Sequence, residues 1–312
     1  MSSSLAGFRV DPMLVTISGL SAGAFMAHQL HVAYSEMFKG AAFIAGGPYF
    51  ASKGSLSHAL SSVLGLTGLP DTAFSISVAR EADAEGKIAP LANLRSSRVW
   101  VFHGRADTIS SRSAAEALVS FYDECGNRSA LEYVYDLEVG HAMPVACEEE
   151  LPPYFSNCGF DAAGSLLAHL YGPLRNRASS APGELRAFSQ LEFNDASRCY
   201  GLAERGLVYL PIAALAGRKC GLHVALHGCQ QTLDDIGDGF ARMAGYNEWA
   251  EANDLIVLYP QVSRSYSMSA FNPLGAWDWW GYSDPDFHLR AGGQMQSIAS
   301  MVQTLCGTSG LH

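Results

Sequence analysis

A short apolar strand, a serine flanked by glycines and a helix follow one another close to the start of this chain. The strand signal is the β-branched run that begins at Val15, and the segment Gly19-Leu-Ser-Ala-Gly23 comes directly after it. Helical spacing then extends over 24–34. The two glycines allow a sharp, strained turn that holds the Ser21 hydroxyl at the tip of a sheet. The segment therefore predicts a strand–turn–helix unit with Ser21 as a candidate nucleophile.

Strand and helix patterns alternate along the rest of the chain. Apolar strands are predicted at 40–44, 98–102, 131–135, 221–229 and 255–259, and helices at 78–86, 113–125, 161–171, 240–253 and 291–305. Two shorter strands, at 185–193 and 206–210, have the partial alternation of an antiparallel pair. Alternating strands and helices favour a mostly parallel sheet with helices on both faces.

The stretch 172–183 is rich in Gly, Pro and Ser and resembles a linker. It does not have to separate two domains. Two half-sheets would each leave a long unpaired edge, and pairing them into one sheet removes both edges. We therefore expect a single catalytic domain over 1–312, with a seam at about 172–183 and no separate substrate-binding domain.

The seven cysteines favour an oxidising compartment. None of them forms a C-x-x-C pair or a cysteine–histidine cluster with zinc spacing, so neither a metal nor another cofactor is expected. Cys147 and Cys158 flank a short loop and are the best candidates for a disulfide, which would place the protein outside the cytoplasm. The alternative is that all seven are reduced. An odd number leaves at least one free thiol.

Composition narrows the possible partners. The net charge of −10 argues against nucleic acid and against adsorption to an anionic membrane. No apolar run reaches the roughly 20 residues that a membrane-spanning helix needs. The first residues carry no signal-peptide pattern, so the chain is either intracellular or has lost its signal peptide. We expect a secreted or periplasmic monomer, with an intracellular location left open.

Candidates for an acid and a base follow Ser21 in the chain order that α/β-hydrolases use. A serine hydroxyl needs an adjacent base, and that base needs an acid to hold its tautomer. Asp107 falls five residues after the strand that ends at Phe102, and His141 follows the strand that ends near Tyr135. Both come after carboxyl ends of strands, where sites of open α/β sheets gather. The sequence therefore predicts a catalytic triad of Ser21, Asp107 and His141.

Structural roles compete with the catalytic ones. Ser21 could cap the helix that it precedes, although a cap does not require glycines on both sides. Asp107 could merely stabilise its loop as an Asx-turn. Asp123 and Asp136 are rival acids, within a helix and at a strand end.

Other histidines compete with His141. His103 and His227 also precede glycines at strand ends, but His103 lies in the same loop as the acid, and His227 has a better explanation below. His28 and His31 are expected to be helix-face residues.

Acyl transfer also needs backbone N–H groups that bind the oxyanion. One should come from Ala22, which follows the nucleophile. The other should come from a loop with a His-Gly signature, here Leu226-His-Gly-Cys-Gln230, with Cys229 as the donor. Cys229 as a nucleophile is the weaker alternative, because it lacks a His–Asp set of its own. In the ordinary fold this loop precedes the nucleophile, so its place in the C-terminal half indicates a circular permutation joined at 172–183.

Five motifs occur in order along the chain. They are Gly19-Leu-Ser-Ala-Gly23, Ala45-Gly-Gly-Pro-Tyr49, Ser156-Asn-Cys-Gly-Phe-Asp161, Leu222-His-Val-Ala-Leu-His-Gly-Cys229 and Trp277-Asp-Trp-Trp-Gly281. Together they resemble the single-domain poly(3-hydroxybutyrate) depolymerases of the circularly permuted fungal type. The resemblance covers nearly the whole chain. It implies a circularly permuted α/β-hydrolase fold, with a mostly parallel central sheet flanked by helices, and the triad and oxyanion loop named above.

The resemblance also bears on the substrate cleft. It implies that Trp277 lines the cleft beside the nucleophile. The alternative for Trp277, Trp279 and Trp280 is packing in the core. In relatives a cysteine can precede this tryptophan and bridge to the His-Gly-Cys loop. Here that position is Ala276, so Cys229 lacks this partner and the loop must be held in another way.

The function expected is that of a serine esterase that hydrolyses poly(3-hydroxybutyrate) or its oligomers through an acyl-enzyme. An aromatic patch from Trp277 to Tyr282 and the loop of Phe271 suit apolar ester units. The alternative is a carboxylesterase for small soluble esters or aryl esters of the feruloyl kind. A third hypothesis is a binding protein with a hydrolase fold and no activity, and the intact set of Ser21, Asp107 and His141 counts against it.

Overall fold

The computed structural model describes residues 4–63, 69–146, 151–194, 201–268 and 270–308. The strands in these residues are β1 (Arg9–Leu20), β2 (Gly40–Ile44), β3 (Arg98–Phe102), β4 (Leu131–Val134), β5 (Met143–Val145), β6 (Phe155–Asn157), β7 (Glu184–Ser189), β8 (Arg205–Leu210), β9 (Lys219–Leu226) and β10 (Leu255–Tyr259). The α-helices are α1 (Ala22–Ala33), α2 (Leu56–His58), α3 (Thr72–Ala84), α4 (Arg112–Cys125), α5 (Ala162–Tyr171), α6 (Ile212–Leu215), α7 (Leu233–Ile236), α8 (Gly239–Met243), α9 (Tyr246–Asn253) and α10 (Gly293–Cys306).

Eight strands form one sheet in the order β4-β3-β2-β1-β9-β10-β8-β7. Strand β8 runs antiparallel to both of its neighbours, and the other pairs are parallel. The first strand of the chain therefore lies in the middle of the sheet. Its parallel neighbour β9 comes from the C-terminal half, with Gly19 opposite Leu226. This is the circularly permuted α/β-hydrolase sheet that the sequence predicts, and β7–β8 is the expected antiparallel pair.

Helices cover both faces of the sheet because its central strands are apolar on both sides. Successive residues of β2, such as Phe43 and Ile44, enter two different apolar clusters. The first cluster packs α1, α4 and α10 against the sheet, and the second packs α5, α8 and α9 against the opposite face. Strands β2 and β10 are buried along their whole length. The helices on the two faces therefore hold the strands, and with them the loops that follow the strand ends, in fixed positions.

Several elements differ from the sequence-based expectation: α3 begins at Thr72 and not at 78, and β7 ends at Ser189 and not at 193. Two further differences have a local cause. Strand β1 begins before Val15, at Arg9, and the register with β9 shifts between Val10 and Val15. Pro12 lies in this irregular stretch, where a strand tolerates a residue that cannot donate a hydrogen bond. The single helix expected at 240–253 is instead two helices, α8 and α9. They are separated at Gly245, whose φ of 84° no helix accommodates.

The cysteines of the described residues carry no disulfide among themselves: Cys125, Cys158, Cys220, Cys229 and Cys306 are free thiols. The expected bridge would join Cys158 to Cys147, which lies outside the described residues. Because Cys158 is a free thiol, the structure does not bear out this pairing. In the described ranges, no helix has the length and hydropathy needed to cross a membrane.

Buried histidines form an unusual part of the core. His223 on β9 makes hydrogen bonds of 2.8 Å to Thr16 and to Ser18 on the neighbouring strand β1. Burial lowers the pKa of five histidines: to about 4 for His28, His227 and His288, and to about 3 for His31 and His223. These side chains are therefore neutral in the folded protein at neutral pH.

We expect the free energy of unfolding to fall as the pH drops below about 6.5, the usual histidine pKa. Between that value and the lowered folded-state pKa, the unfolded chain binds more protons than the folded one, so stability is present at higher pH and is lost on acidification. The urea midpoint should be lower at about pH 5 than at about pH 7.5. His223→Gln cannot take up this proton, so the difference between its urea midpoints at the two pH values should be smaller than in the wild type. An equal midpoint at both pH values would contradict the expectation.

Candidate active site

Ser21 lies at the sharp turn between β1 and α1. Its φ of 54° and ψ of −120° are strained for a residue with a side chain. The turn is held by the backbone, because the Ser21 N–H donates to the Ile44 carbonyl at 2.8 Å and the Ser21 carbonyl accepts from Ala24 N–H at 2.8 Å. The side chain makes no capping bond to the helix. The Ser21 side chain therefore does not cap the helix, and its hydroxyl is available to another partner.

Gly23 lets helix α1 begin directly against the end of β9. A Cβ atom at this position would lie 2.5 Å from the carbonyl oxygens of both Leu226 and His227. No side chain fits there. Ala22 at the start of α1 is thereby brought next to the His-Gly loop. The second glycine of the Ser21 motif is thus explained by a contact with the far half of the chain.

The three residues of the predicted triad make one continuous line of hydrogen bonds. His141 Nε2 lies 2.8 Å from Ser21 Oγ. His141 Nδ1 lies 2.8 Å from Asp107 Oδ2. The His141 side chain is 9% exposed and that of Asp107 is 0% exposed. This arrangement can pass a proton from the serine to a base whose tautomer is fixed by a buried acid.

Backbone hydrogen bonds join the loop that contains Asp107 to the loop that contains His141. The Arg105 N–H donates to the Leu137 carbonyl at 2.9 Å, and the Ala106 N–H donates to the Val139 carbonyl at 3.1 Å. These loops continue β3 and β4, which are adjacent in the sheet. The relative position of acid and base is therefore set by the main chain and not by their side chains alone.

Asp107 is held as an ionised acceptor. Its Oδ1 accepts from the N–H groups of Ile109 and Ser110 at 2.8 and 2.9 Å. Burial acts to raise the pKa of Asp107, but the hydrogen bond and charge of His141 and these two N–H groups outweigh it, so the pKa lies below its usual value. His103 supports the same loop, because its Nε2 bonds to the Ser110 carbonyl at 3.0 Å.

The rival acids and bases lie elsewhere. Asp123 and Asp136 are exposed on the surface. His28 and His31 are fully buried on α1 among aromatic side chains. None of the four lines the cavity that contains Ser21 and His141.

The His-Gly loop is fixed by its own hydrogen bonds. His227 Nδ1 donates to the Gly228 carbonyl at 2.8 Å, and this carbonyl belongs to the same peptide group as the Cys229 N–H. The Gly228 N–H donates to Gln231 Oε1 at 2.9 Å. Cys229 and Ala22 line the same cavity as Ser21. The two residues predicted to supply oxyanion donors thus lie together around the serine.

The Cys229 thiol is not suited to nucleophilic attack. Burial raises the pKa of Cys229 to about 12. A thiol with this pKa stays protonated at neutral pH, and the thiolate is the reactive form. The alternative that Cys229 is the nucleophile is therefore disfavoured.

A cavity of about 390 Å³ contains Ser21 and His141 in its wall. Its large apolar side chains come from four separate parts of the chain: Leu20 and Phe25, Leu56 and Leu60, Ile109, and Phe271, Leu274, Trp279 and Trp280. Among the described residues, no Asp, Glu, Lys or Arg lines it. Elsewhere in the described ranges too, no cluster of three or more His, Cys, Asp or Glu residues could hold a metal ion. The cavity suits an uncharged, largely apolar ligand.

Trp277 is not where the resemblance places it. Its side chain is fully buried, its indole N–H donates to the His227 carbonyl at 3.1 Å, and it lies outside the cavity wall. Trp279 and Trp280 line the cavity instead, and Trp279 stacks on Phe25 with ring centroids 4.3 Å apart. The expectation that Trp277 lines the cleft is therefore wrong: its ring is buried in the core, where its indole N–H holds the His-Gly loop.

Residues that sequence reasoning did not single out hold the segment around Ala276. Asn272 accepts from the Ala276 N–H and donates to the Ala276 carbonyl, both at 2.9 Å. The Gln230 N–H donates to the Leu274 carbonyl at 2.8 Å. Hydrogen bonds thus connect this segment to the oxyanion loop. The only sequence signal was that Gln230 directly follows the His-Gly-Cys motif, and nothing marked Asn272.

Comparison with known proteins gives two relatives that match almost the whole chain. A poly(3-hydroxybutyrate) depolymerase of Delftia acidovorans is 38% identical over 317 residues, which cover 98% of this chain and 62% of the relative. A polyhydroxybutyrate depolymerase of Talaromyces funiculosus is 32% identical over 322 residues, which cover 97% of this chain and 93% of the relative. The chain thus spans about three fifths of the Delftia relative's length. No family model matches the chain.

A solved structure supports the same kinship. It is a serine-to-alanine variant of PHB depolymerase complexed with an R3HB trimer, and it is 31% identical with a TM-score of 0.89, covering 98% of this chain and 99% of that chain. Sequence and fold agree over nearly the full length. The chain therefore belongs to the family of poly(3-hydroxybutyrate) depolymerases.

Proposed function

We propose that the protein is a serine esterase that hydrolyses poly(3-hydroxybutyrate) or its oligomers through an acyl-enzyme. The observation that carries the proposal is the unbroken line of hydrogen bonds from Ser21 through His141 to Asp107 in the wall of an apolar cavity. The names of both relatives, and the trimer bound in the solved structure, support this choice of substrate.

In this proposal His141 acts as the general base and then as the general acid. Its Nε2 takes the Ser21 proton while Ser21 Oγ attacks an ester carbonyl. The N–H groups of Ala22 and Cys229 stabilise the oxyanion. His141 then protonates the departing alcohol, and a water molecule repeats the cycle on the acyl-enzyme to release the hydroxy acid. Asp107 stays ionised throughout and stabilises the protonated imidazole.

The cavity supports an ester of short aliphatic units. Among the described residues, its wall contains no Asp, Glu, Lys or Arg. A neutral chain of ester groups therefore loses little solvation on entering, whereas a charged ligand would leave its charge unpaired. The aromatic surfaces of Trp279 and Trp280 offer apolar contact for the methyl groups of such a chain.

Large apolar side chains at the cavity extend to the surface of the protein. Leu56, Leu60, Ile109, Phe271 and Leu274 line the cavity and are 41–52% exposed. Contiguous exposed apolar surface marks sites that contact other molecules. We propose that this rim, defined by these five side chains, holds the enzyme on a polyester particle.

We also propose that the chain acts as a monomer with one catalytic domain, in the periplasm or outside the cell. Strands from both sides of 172–183 pair within one sheet, which supports a single domain. A polyester particle is too large to cross a membrane, which supports a location where enzyme and particle meet. An intracellular location stays the alternative.

Ser21→Ala should abolish ester turnover, because it removes the hydroxyl that attacks the ester in the proposed mechanism. The wild type should both clear a turbid suspension of poly(3-hydroxybutyrate) and hydrolyse p-nitrophenyl butyrate. Turnover of p-nitrophenyl butyrate without clearing would contradict the polymer substrate and favour a small-ester esterase. Equal behaviour of the wild type and Ser21→Ala on both substrates would contradict the enzyme proposal as a whole.

Asp107→Asn should lower kcat by about 10³- to 10⁴-fold, because the amide holds the wrong tautomer of His141. Asp136→Asn, at a rival acid that is exposed, serves as the matched control and should leave kcat unchanged. Both variants are assayed on p-nitrophenyl butyrate. A similar kcat for the two variants would show that Asp107 is not the acid.

Leu56→Ser should weaken adsorption to polymer particles about threefold to tenfold, because it removes apolar area from the rim. Turnover of p-nitrophenyl butyrate should change far less. Leu215→Ser is the control, since Leu215 is 43% exposed but lies on α6, away from the cavity. Adsorption is measured by depletion of protein from solution. Equal adsorption of the two variants would contradict the role of the rim.

A further inference from the structure

A hydrogen bond between Tyr154 and Gln230 crosses the candidate active site. The Tyr154 hydroxyl donates to Gln230 Oε1 at 2.5 Å, and both residues line the cavity. One partner lies beside the loop of His141, and the other directly follows Cys229. Neither belongs to the triad or supplies a predicted oxyanion donor. The bond therefore joins two parts of the site that come from opposite halves of the chain.

Both partners have a backbone conformation that side chains rarely adopt. The φ of Tyr154 is 67° and that of Gln230 is 59°. Such conformations are uncommon for residues other than glycine, and for a bulky residue they are outliers. They persist only where the surroundings enforce them, and they gather at functional sites. Two such residues in direct hydrogen-bond contact point to a selected geometry.

Tyr154 is coupled to the position of His141 through the short sheet of β5 and β6. These strands pair with Met143 opposite Phe155, and Tyr154 directly precedes β6 while His141 lies two residues before β5. The Tyr154 carbonyl accepts from the Met143 N–H at 2.8 Å. The Tyr154 ring also meets the His141 ring edge-on, with centroids 6.4 Å apart and planes at 84°. A displacement of Tyr154 would therefore displace the base.

Gln230 is coupled in the same way to the oxyanion loop. Its peptide N–H donates to the Leu274 carbonyl at 2.8 Å, which holds the backbone on one side. Its side chain accepts from Tyr154 and holds the residue on the other side. Because Gln230 is covalently joined to Cys229, both bonds restrain Cys229 and, through it, the preceding peptide group that carries the Cys229 N–H.

We propose that Tyr154 and Gln230 are positioning residues that hold the base and the oxyanion donor in register around Ser21. The inference rests on the proposed esterase function, because only acyl transfer needs these two groups at once. Catalytic groups must lie within about 0.5 Å of the productive geometry, and His141 and Cys229 stand on separate loops. The Tyr154–Gln230 bond ties these loops together without touching the reacting atoms.

The test is a double-mutant cycle on p-nitrophenyl butyrate, a soluble ester that needs no polymer surface. Tyr154→Phe removes the hydroxyl and keeps the ring, and Gln230→Met removes the acceptor and keeps the length of the side chain. Each variant should lower kcat roughly tenfold, in proportion to one lost hydrogen bond. KM should change less than about twofold, because the bond acts on geometry and not on binding of substrate. The double variant should be no slower than the slower single variant, since both changes remove the same bond.

Tyr135→Phe is the matched control, because the Tyr135 side chain is 42% exposed and lies outside the cavity wall. Its kcat and thermal midpoint should equal those of the wild type. The thermal midpoints of the single and double variants show whether a loss of kcat comes from displaced active-site groups or from a less stable fold.

Three results would overturn the proposal while the wild type remains active: an unchanged kcat in Tyr154→Phe, losses that multiply in the double variant, or a kcat loss that appears only with a lowered thermal midpoint. Absence of Ser21-dependent turnover in the wild type would instead overturn the proposed function, and this inference with it.

Discussion

The parallel pairing of β1 with β9 brings the two halves of the chain into one sheet at the point where the site is built. Gly19 lies opposite Leu226, so the turn at Ser21 and the His-Gly loop leave the sheet side by side. Helix α1 can start there only because Gly23 leaves room for the carbonyl oxygens of Leu226 and His227. Without this pairing Cys229, the predicted second oxyanion donor, would not lie beside Ser21, because it comes from the far half of the chain.

Main-chain contacts set the geometry of the site, and buried side chains tune its charge. The loops of Asp107 and His141 are joined through backbone hydrogen bonds, and the His-Gly loop is held by the His227 side chain on its own peptide. Burial keeps His227 neutral, while the hydrogen bonds to Asp107 keep that carboxylate ionised in a position shielded from water. In the proposed mechanism the neutral His227 adds no charge beside the oxyanion site, and the Asp107 carboxylate stabilises the protonated His141.

Local patterns predicted most of the fold. Apolar runs of strand length and the helical spacing between them depend on residues that are neighbours in sequence, so β2, β3 and β10 were predictable. The circular permutation was predictable from the order of the Ser21 motif and the His-Gly loop along the chain. Ser21, Asp107 and His141 could be singled out in the same way, since each stands in a recognisable position after a strand, and the structure brings their side chains into hydrogen-bond contact. The break at Gly245 and the early start of β1 were missed, because a single φ angle and an irregular strand pairing leave little trace in a periodic pattern.

The sequence by itself determined which strands form the sheet, the order of the proposed nucleophile, acid and base along the chain, and the place of the His-Gly loop in the far half. Only the tertiary structure decided which tryptophan faces the cavity. Trp277 and Trp279 are only two residues apart in the same short segment. Yet Trp277 is hydrogen-bonded to the His227 carbonyl of the His-Gly loop, and Trp279 lies in the cavity wall. The bond between Tyr154 and Gln230 was likewise visible only in three dimensions. The physical reason is the same in both cases: strand and helix periodicity is encoded locally, whereas the direction of a side chain in an irregular loop depends on which distant segments pack against it.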